Sequence, residues 1–330
     1  MNYFITGSTG FIGIHLLNLL QKNSTVKKIY LLVRNKKKLE ERMRIPLPEN
    51  YFLLEGDLTT LEKIPEDTNY IIHLAGITKA VNREDYFKVN RDATEKLANL
   101  SLNLKNLKRF IFVSSLAAAG PSKDCIPKRE DKSPFPVSTY GQSKLEGEKR
   151  ILKYKEKIPI TILRPPAVYG EWDTDFLEAI KLVKKGLSLN VHFKPEERIL
   201  SFIYAKDIAG AILHLSNIET KSGEIFFISE DKLFKWEEIE EIVAKILQRK
   251  IKVRITLPLW FGKIIANFIN FASKITGKNY IFNKDKISEI KYRCWICSNK
   301  KLKETGFYPK FKFEEKIGEV IEWYKRKGWL

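Results

Sequence analysis

The chain has 330 residues, of which 44% are hydrophobic and 30% charged, so it can bury a large core, and nothing in its composition suggests disorder or a fibre. Its formal net charge of +19 would attract polyanions in general. The lysines are spread along the whole chain, however, and no zinc-finger spacing or RNA-binding motif occurs, so we expect no nucleic-acid partner.

The N-terminus and the cysteines predict a cytoplasmic protein. Met1 is followed at once by a short apolar run and a glycine loop, which leaves no room for a signal peptide. The three cysteines Cys125, Cys294 and Cys297 are too few for a disulfide framework and suit a reducing compartment. Cys294 and Cys297 form a lone C-x-x-C without a second ligand pair, so we predict no metal site; a redox role for the pair stays open.

Short apolar runs alternate with amphipathic stretches in the first half of the chain. Strands separated by helices imply right-handed crossovers and a parallel sheet covered on both faces, which is the α/β, Rossmann-type doubly wound fold. Such a sheet binds ligands at the carboxyl ends of its strands. The runs that predict buried strands are residues 2–5, 28–33, 70–74, 109–113 and 160–163.

The pattern changes after Arg164, where Pro165, Pro166 and Gly170 indicate a turn, and a helix is predicted over 174–185. We expect a nucleotide-binding domain over 1–165 and a smaller, mostly helical substrate-binding region over 166–330. Strand and helix patterns recur between 202 and 228, so this segment is expected to return to the first domain.

Residues 257–277 carry apolar side chains at helical spacing, with polar residues opposite that exclude a spanning helix. We expect the apolar face to pack over a substrate cleft suited to an apolar or extended substrate. Contact with a membrane surface is the alternative. The face comprises Trp260, Phe261, Ile264, Ile265, Phe268, Phe271, Ala272 and Ile275.

A glycine-rich loop follows the first strand and opens an amphipathic helix. Its glycines permit a tight turn and close backbone approach, and the helix N-terminus offers free N–H groups to a pyrophosphate. The predicted dinucleotide loop consists of Gly7, Ser8, Thr9, Gly10, Phe11, Ile12 and Gly13.

The end of the second strand indicates the choice of dinucleotide. NAD would require an acidic residue here for the ribose 2′-hydroxyl, but the chain has Arg34 and Asn35, followed by three lysines. Arg34 can pair with a 2′-phosphate through its planar fork, so NADP is predicted, with NAD as the alternative.

Tyr140 and Lys144 are spaced i and i+4, which places a phenol and an ammonium on one helix face. The cation is expected to favour the phenolate and to bring Tyr140 toward the range useful for proton transfer. Lys144 can also hold the nicotinamide ribose. Ser114 and Ser115 end a predicted strand at the carboxyl edge, where a hydroxyl can polarise a substrate carbonyl.

These motifs together resemble the extended short-chain dehydrogenases/reductases, the group of NAD-dependent epimerases/dehydratases and 3β-hydroxysteroid dehydrogenases. The resemblance covers nearly the whole chain and implies a homodimer through helices around 84–104 and 138–154. Besides the loop and the catalytic residues, it rests on residues 56–58, 73–76, 89–90, 164–170, 201–207 and the C-terminal tryptophans.

The resemblance also implies further cofactor contacts. Asp57 and Leu58 would flank the adenine, and Pro165 with Val168 would lie beside the nicotinamide. Asn90 would be either structural or on the cofactor side. The ribose and diphosphate would be lined by Leu74, Ala75 and Gly76.

Departures from the family pattern reduce the number of reactions that we expect this chain to catalyse. Ser115 is followed by Leu116 and two alanines, without the Asp-Glu pair of sugar-nucleotide dehydratases, and Ala167 stands where epimerases often have Asn. We therefore expect an NADP-dependent reductase or dehydrogenase in which Tyr140 moves the proton. A nucleotide-sugar epimerase is the alternative, and a non-catalytic NADP-sensing protein is a third hypothesis.

Overall fold

The computed structural model describes residues 1–43, 47–276 and 284–330, with side chains given outside 270–275. Its strands, numbered in chain order, are β1 (Asn2–Thr6), β2 (Lys28–Val33), β3 (Tyr51–Glu55), β4 (Tyr70–His73), β5 (Arg109–Val113), β6 (Ile160–Arg164), β7 (Ala167–Tyr169), β8 (Leu187–Val191), β9 (Ile199–Tyr204), β10 (Glu224–Phe227), β11 (Leu233–Lys235), β12 (Val253–Leu257) and β13 (Cys294–Trp295).

The helices surround these strands, and a short π-helical turn precedes the fourth of them. They are α1 (Phe11–Leu20), α2 (Lys36–Met43), α3 (Arg83–Phe87), α4 (Ala93–Ser101), α5 (Leu116–Ala119), α6 (Thr139–Leu152), α7 (Asp175–Lys184), α8 (Ala205–Asn217), α9 (Trp236–Ile246), α10 (Leu259–Thr276), α11 (Lys284–Ile290), α12 (Lys300–Glu304) and α13 (Phe313–Arg326).

A seven-stranded parallel sheet forms the centre, in the order β10-β6-β5-β4-β1-β2-β3. Alternate strand residues enter two cores: Tyr3 and Ile5 pack on the side of α1 and α8, and Phe4 packs on the side of α4 and α6. The predicted doubly wound fold is confirmed. The five predicted strands and the helix over 174–185 are found within one residue of their predicted ends.

The C-terminal part contains helices and two small sheets. Strand β9 pairs with β7, β11 and β13, while β8 pairs with β12 as a two-stranded ribbon. Strand β10 belongs instead to the large sheet, where it pairs with β6. Helix α13 is fastened at its start by Glu230, whose carboxylate accepts hydrogen bonds from the Phe313 N–H and the Tyr169 hydroxyl.

Helix α10 is present as predicted. Gly262 and Ala266 face inward, and Trp260, Ile264 and Phe268 are more than half exposed. Packing of this face over a substrate cleft stays a prediction. In the described ranges, no helix is long and apolar enough to cross a membrane. Three members of the predicted face lie outside the described side chains, namely Phe271, Ala272 and Ile275.

The cysteines correct one prediction. Cys125 and Cys294 form a disulfide, so the expectation that all three cysteines stay reduced is wrong for this structure. The pairing joins residues 169 positions apart, which no spacing in the sequence indicated. Cys297 keeps a free thiol that is buried, and burial raises its pKa to about 12, so a redox role for Cys294 and Cys297 as a local pair is not supported.

Candidate active site

The glycine loop between β1 and α1 is packed so closely that side chains would not fit. Gly7 has a φ of +74°, and a Cβ added there would lie 2.5 Å from the Ala75 nitrogen. A Cβ on Gly13 would lie 2.5 Å from the Gly7 carbonyl oxygen. The loop can therefore turn sharply and expose its backbone at the carboxyl edge of the sheet.

The start of α1 has polar groups free for a ligand. Gly10 is the N-cap and contributes no side chain, so the first N–H groups of the helix have no side-chain cap. The Ser8 hydroxyl is completely buried and has no hydrogen-bond partner among the described residues. Free N–H groups, a positive helix end and an unpartnered hydroxyl fit a dinucleotide pyrophosphate.

Cationic side chains gather where β2 ends. Arg34 and Asn35 are exposed, and the Asn35 side chain accepts a hydrogen bond from the Lys38 N–H at the start of α2. Burial lowers the pKa of Lys38, and the neighbouring charges of Arg42 and Arg34 lower it further. Arg42 donates a 2.7 Å hydrogen bond to the Thr9 carbonyl, which fixes Arg42 to the glycine loop.

The loops after β3 and β4 border the same edge. The Asp57 carboxylate accepts hydrogen bonds from Thr59 and Thr60, the first of which chiefly lowers its pKa, and Leu58 is buried in the core. Ala75 donates to the Thr6 hydroxyl, while Gly76 is exposed. These positions surround the predicted adenosine and diphosphate side of the loop.

Ser115 and Tyr140 are brought together by β5 and α6. The Ser115 hydroxyl lies beside the Tyr140 phenol and accepts a 3.0 Å hydrogen bond from the Ala117 N–H. Burial raises the pKa of Tyr140 to about 12, and interaction with the Ser115 hydroxyl offsets this rise only in part. Tyr140 is therefore protonated at neutral pH, contrary to the expectation that its pKa would be lowered.

Lys144 is positioned one turn after Tyr140 but interacts elsewhere. Its ammonium donates a 2.8 Å hydrogen bond to the Val113 carbonyl and lies 4.2 Å from the centre of the Phe112 ring. Burial lowers the pKa of Lys144 to about 7. A Cβ added at Gly76 would lie 3.7 Å from the ammonium, so Lys144 faces the predicted ribose side of the site.

Glu148 extends this catalytic helix face by a further turn and is a site residue that the sequence motifs did not reveal. Its carboxylate binds Arg164 through two hydrogen bonds, of 2.9 and 2.5 Å, with both side chains nearly completely buried. Its charge partly offsets the effect of burial on the pKa of Lys144. The i, i+4, i+8 spacing of Tyr140, Lys144 and Glu148 was the available signal.

Asp285 is a second residue that the sequence did not reveal. Its carboxylate accepts hydrogen bonds from the Thr139 and Tyr140 N–H groups, at 2.5 and 2.9 Å, while Ser138 caps Gly141. Helix α11 thus fixes the N-terminus of the helix that carries Tyr140. The 145 positions between Asp285 and Tyr140 left no signal in the sequence.

The remaining predicted positions divide into two groups. Asn90 is buried and its amide binds both backbone groups of Ile77 and the Ser143 hydroxyl, so the structure favours its structural alternative. The Ser114 hydroxyl is buried and unpartnered among the described residues. Pro165 accepts a hydrogen bond from the Leu116 N–H, and Val168 lies in β7, both just beyond the carboxyl end of β6.

Comparison with known proteins agrees with this geometry. The model of the NAD dependent epimerase/dehydratase family matches residues 3–229. A ceramide reductase from Caulobacter vibrioides is 28% identical over 99% of this chain and 95% of its own length. A UDP-glucose 4-epimerase from Vibrio cholerae is 26% identical over 83% of this chain and 84% of its own length.

Solved structures share the fold. A UDP-glucuronic acid 4-epimerase from Bacillus cereus, in complex with UDP-glucuronic acid and NAD, superposes with a TM-score of 0.80 at 20% identity, covering 99% of this chain and 100% of that one. A UDP-N-acetylglucosamine 4-epimerase from Methanobrevibacter ruminantium gives 0.78 at 22% identity, with 99% and 98% covered.

The chain belongs to the NAD dependent epimerase/dehydratase family. The predicted class is confirmed: it is an enzyme, an NAD(P)-dependent oxidoreductase of that family.

Proposed function

We propose that this enzyme is an NADPH-dependent reductase of an apolar, lipid-like carbonyl compound. The observation that carries the cofactor choice is the group of cations at the end of β2, where Arg34, Lys38 and Arg42 influence one another. A 2′-phosphate would be bound by such a group, whereas a ribose 2′-hydroxyl is usually held by a carboxylate at this position.

The residues of α6 and β5 fit the reductive direction. A bound nicotinamide dinucleotide supplies the hydride. Tyr140, with its raised pKa, is protonated at neutral pH and would donate its proton to the carbonyl oxygen as negative charge develops there. Ser115 would hold the same oxygen by a hydrogen bond, and Lys144 would bind the ribose.

The residues around Ser115 support the proposed substrate class. Leu116, Ala117 and Ala118 are buried and apolar, and they provide no carboxylate for elimination of water. The ceramide reductase of Caulobacter vibrioides is similar over nearly its whole length, which supports a long-chain lipid ketone as the substrate.

The cofactor proposal is tested by titrating NADPH and NADH into purified protein, with Arg34→Asp beside the wild type. We expect the protein to be purified without bound cofactor and to bind NADPH more tightly than NADH. In Arg34→Asp this preference should fall by about tenfold or more, because a charge-assisted pair with the 2′-phosphate is replaced by repulsion. Arg129→Asp, at another exposed arginine, is the control. An unchanged preference in Arg34→Asp would refute the proposal.

The substrate proposal requires a separate assay. Long-chain lipid ketones of the ceramide type, sterol ketones and UDP-sugars are each supplied with NADPH, and its consumption is followed at its absorbance band. Oxidation of NADPH with lipid ketones only is the expected result. Turnover with none of the ketones would contradict the substrate class and leave the cofactor result unaffected.

A nucleotide-sugar 4-epimerase is the second candidate, favoured by the similarity to the UDP-glucose 4-epimerase of Vibrio cholerae. Epimerases of this kind oxidise and re-reduce one carbon, so the cofactor is regenerated within each turnover. This function would be established if the purified protein retains tightly bound NAD and epimerises UDP-glucose without added cofactor. Cofactor binding without any turnover would instead favour a sensing protein.

A homodimer through α4 and α6 remains a proposal. The outer faces of these helices lie side by side and are joined by the ion pair of Arg150 with Glu95, at 2.9 Å. Sedimentation velocity of the purified protein tests it, and a monomer at micromolar concentration would contradict it. The cytoplasmic location likewise stays a prediction.

A further inference from the structure

Helix α10 packs with its small residues inward and its large apolar residues outward. Gly262 and Ala266 are buried, and a Cβ added at Gly262 would lie 2.6 Å from a methyl group of Val191. On the other face, Trp260 is 63% exposed and Phe268 is 73% exposed. A helix that served only the core would show the opposite arrangement.

The ribbon of β8 and β12 beside α10 also exposes apolar side chains. On its polar side Ser188 of β8 is buried, and its hydroxyl lies 2.8 Å from both carboxylate oxygens of Glu240, to which the exposed Arg254 of β12 also donates. Its apolar side is open, with Leu189 at 48% and its register partner Ile255 at 44% exposure. A second element has therefore turned its apolar face to the outside.

The two elements meet at Val191. Strand residues alternate, so Val191 lies on the same face of the ribbon as Leu189, and it contacts the inward side of α10 at Gly262. Soluble proteins rarely expose several large apolar side chains on each of two neighbouring elements unless these side chains bind something. We name this area the apolar surface; it comprises Leu189, Val253, Ile255, Trp260, Phe261, Ile264 and Phe268.

Basic side chains lie beside the apolar surface. Lys252 donates its backbone N–H to the Gly186 carbonyl, and this hydrogen bond brings the lysines that precede β8 and β12 together at one end of the ribbon, while Lys263 lies on α10. Two copies of the chain paired through this surface would bring the same cations together, which disfavours self-association. Five of these lysines are exposed and form no ion pair with any described residue: Lys184, Lys185, Lys250, Lys252 and Lys263.

We propose that the apolar surface docks on an anionic lipid bilayer, with α10 lying in the headgroup region. Tryptophan and phenylalanine on the exposed side of a helix, together with lysines such as Lys263, are the side chains that such interfacial helices use. The lysines would contact anionic headgroups, and the apolar side chains would enter the acyl boundary. This inference stands without the proposed reductase activity.

Cosedimentation with vesicles tests the docking. The full-length protein is mixed with vesicles of phosphatidylcholine alone or with about 30% phosphatidylglycerol. We expect binding to the anionic vesicles that weakens as salt rises from about 0.05 M to about 0.5 M. The triple variant Trp260→Ser/Ile264→Ser/Phe268→Ser should bind on the order of tenfold more weakly, and so should Lys250→Glu/Lys252→Glu.

Matched control variants separate docking through the apolar surface from nonspecific adsorption to vesicles. Ile126→Ser/Tyr308→Ser removes two side chains that are 64% and 60% exposed elsewhere, and Lys105→Glu/Lys108→Glu changes the same net charge at another site. Both should bind vesicles like the wild type. Circular dichroism and nucleotide affinity show that each variant is folded.

Three results would overturn the proposal. The first is that the wild type binds neither vesicle while its nucleotide affinity is intact. The second is that the variants of the apolar surface bind as well as the controls. The third is a wild-type dimer, seen by light scattering, that the triple variant loses; the surface would then join two copies of the chain.

Discussion

Lys144 offers the sharpest test of the site, because an ammonium is buried there without a carboxylate in direct contact among the described residues. In the unfolded chain its pKa is 10.5, whereas in the folded protein it is about 7. Between these values the unfolded chain binds more protons than the folded one, so the free energy of unfolding rises with pH. Below pH 7 both states are protonated, and the full destabilisation persists.

Lys144→Met removes this contribution. One pKa unit corresponds to about 1.4 kcal/mol, so between pH 7 and pH 9 the wild type should gain roughly 2–3 kcal/mol relative to Lys144→Met. Denaturant unfolding of nucleotide-free protein at both pH values measures the difference. Other titrating groups are common to both proteins and cancel.

Lys149→Met on the same helix is the matched control, since the Lys149 side chain is 59% exposed and paired with Glu146. Its stability should follow the wild type in parallel at both pH values. Parallel profiles for the wild type and Lys144→Met would refute the reasoning, because the Lys144 ammonium would then be hydrated in the folded protein.

Tyr140→Phe should lower turnover by about 10²–10⁴-fold with nucleotide affinity unchanged, because the proton donor is lost; unchanged turnover would exclude that role. Glu148→Gln should cost about 3–5 kcal/mol in denaturant unfolding, since Arg164 would keep a buried charge without its partner; a loss no larger than that of Glu146→Gln would contradict this. Asp285→Ala should lower kcat but not NADPH affinity, with partial rescue in Asp285→Asn; equal loss of both would indicate general unfolding.

The sequence by itself determined the fold and the parts of the site that are local in the chain. Alternating apolar runs and helical patterns gave the strands within one residue, because a buried parallel strand must be apolar. Tyr140 and Lys144 were found through their helical spacing. The glycine loop was recognisable because its position between a strand and a helix is itself a local property.

Only the tertiary structure decided what distant segments do to one another. Asp285 accepts hydrogen bonds at the start of α6 although it lies 145 positions further along the chain than Tyr140. Cys125 forms a disulfide with Cys294, which is 169 positions away in the sequence. The pKa of Lys144 depends on how deeply its ammonium is buried, and the i+4 spacing from Tyr140 gives no information about burial. The apolar face of α10 was visible in the sequence, but its direction was set by Gly262, since only a residue without a side chain allows the helix to lie against Val191.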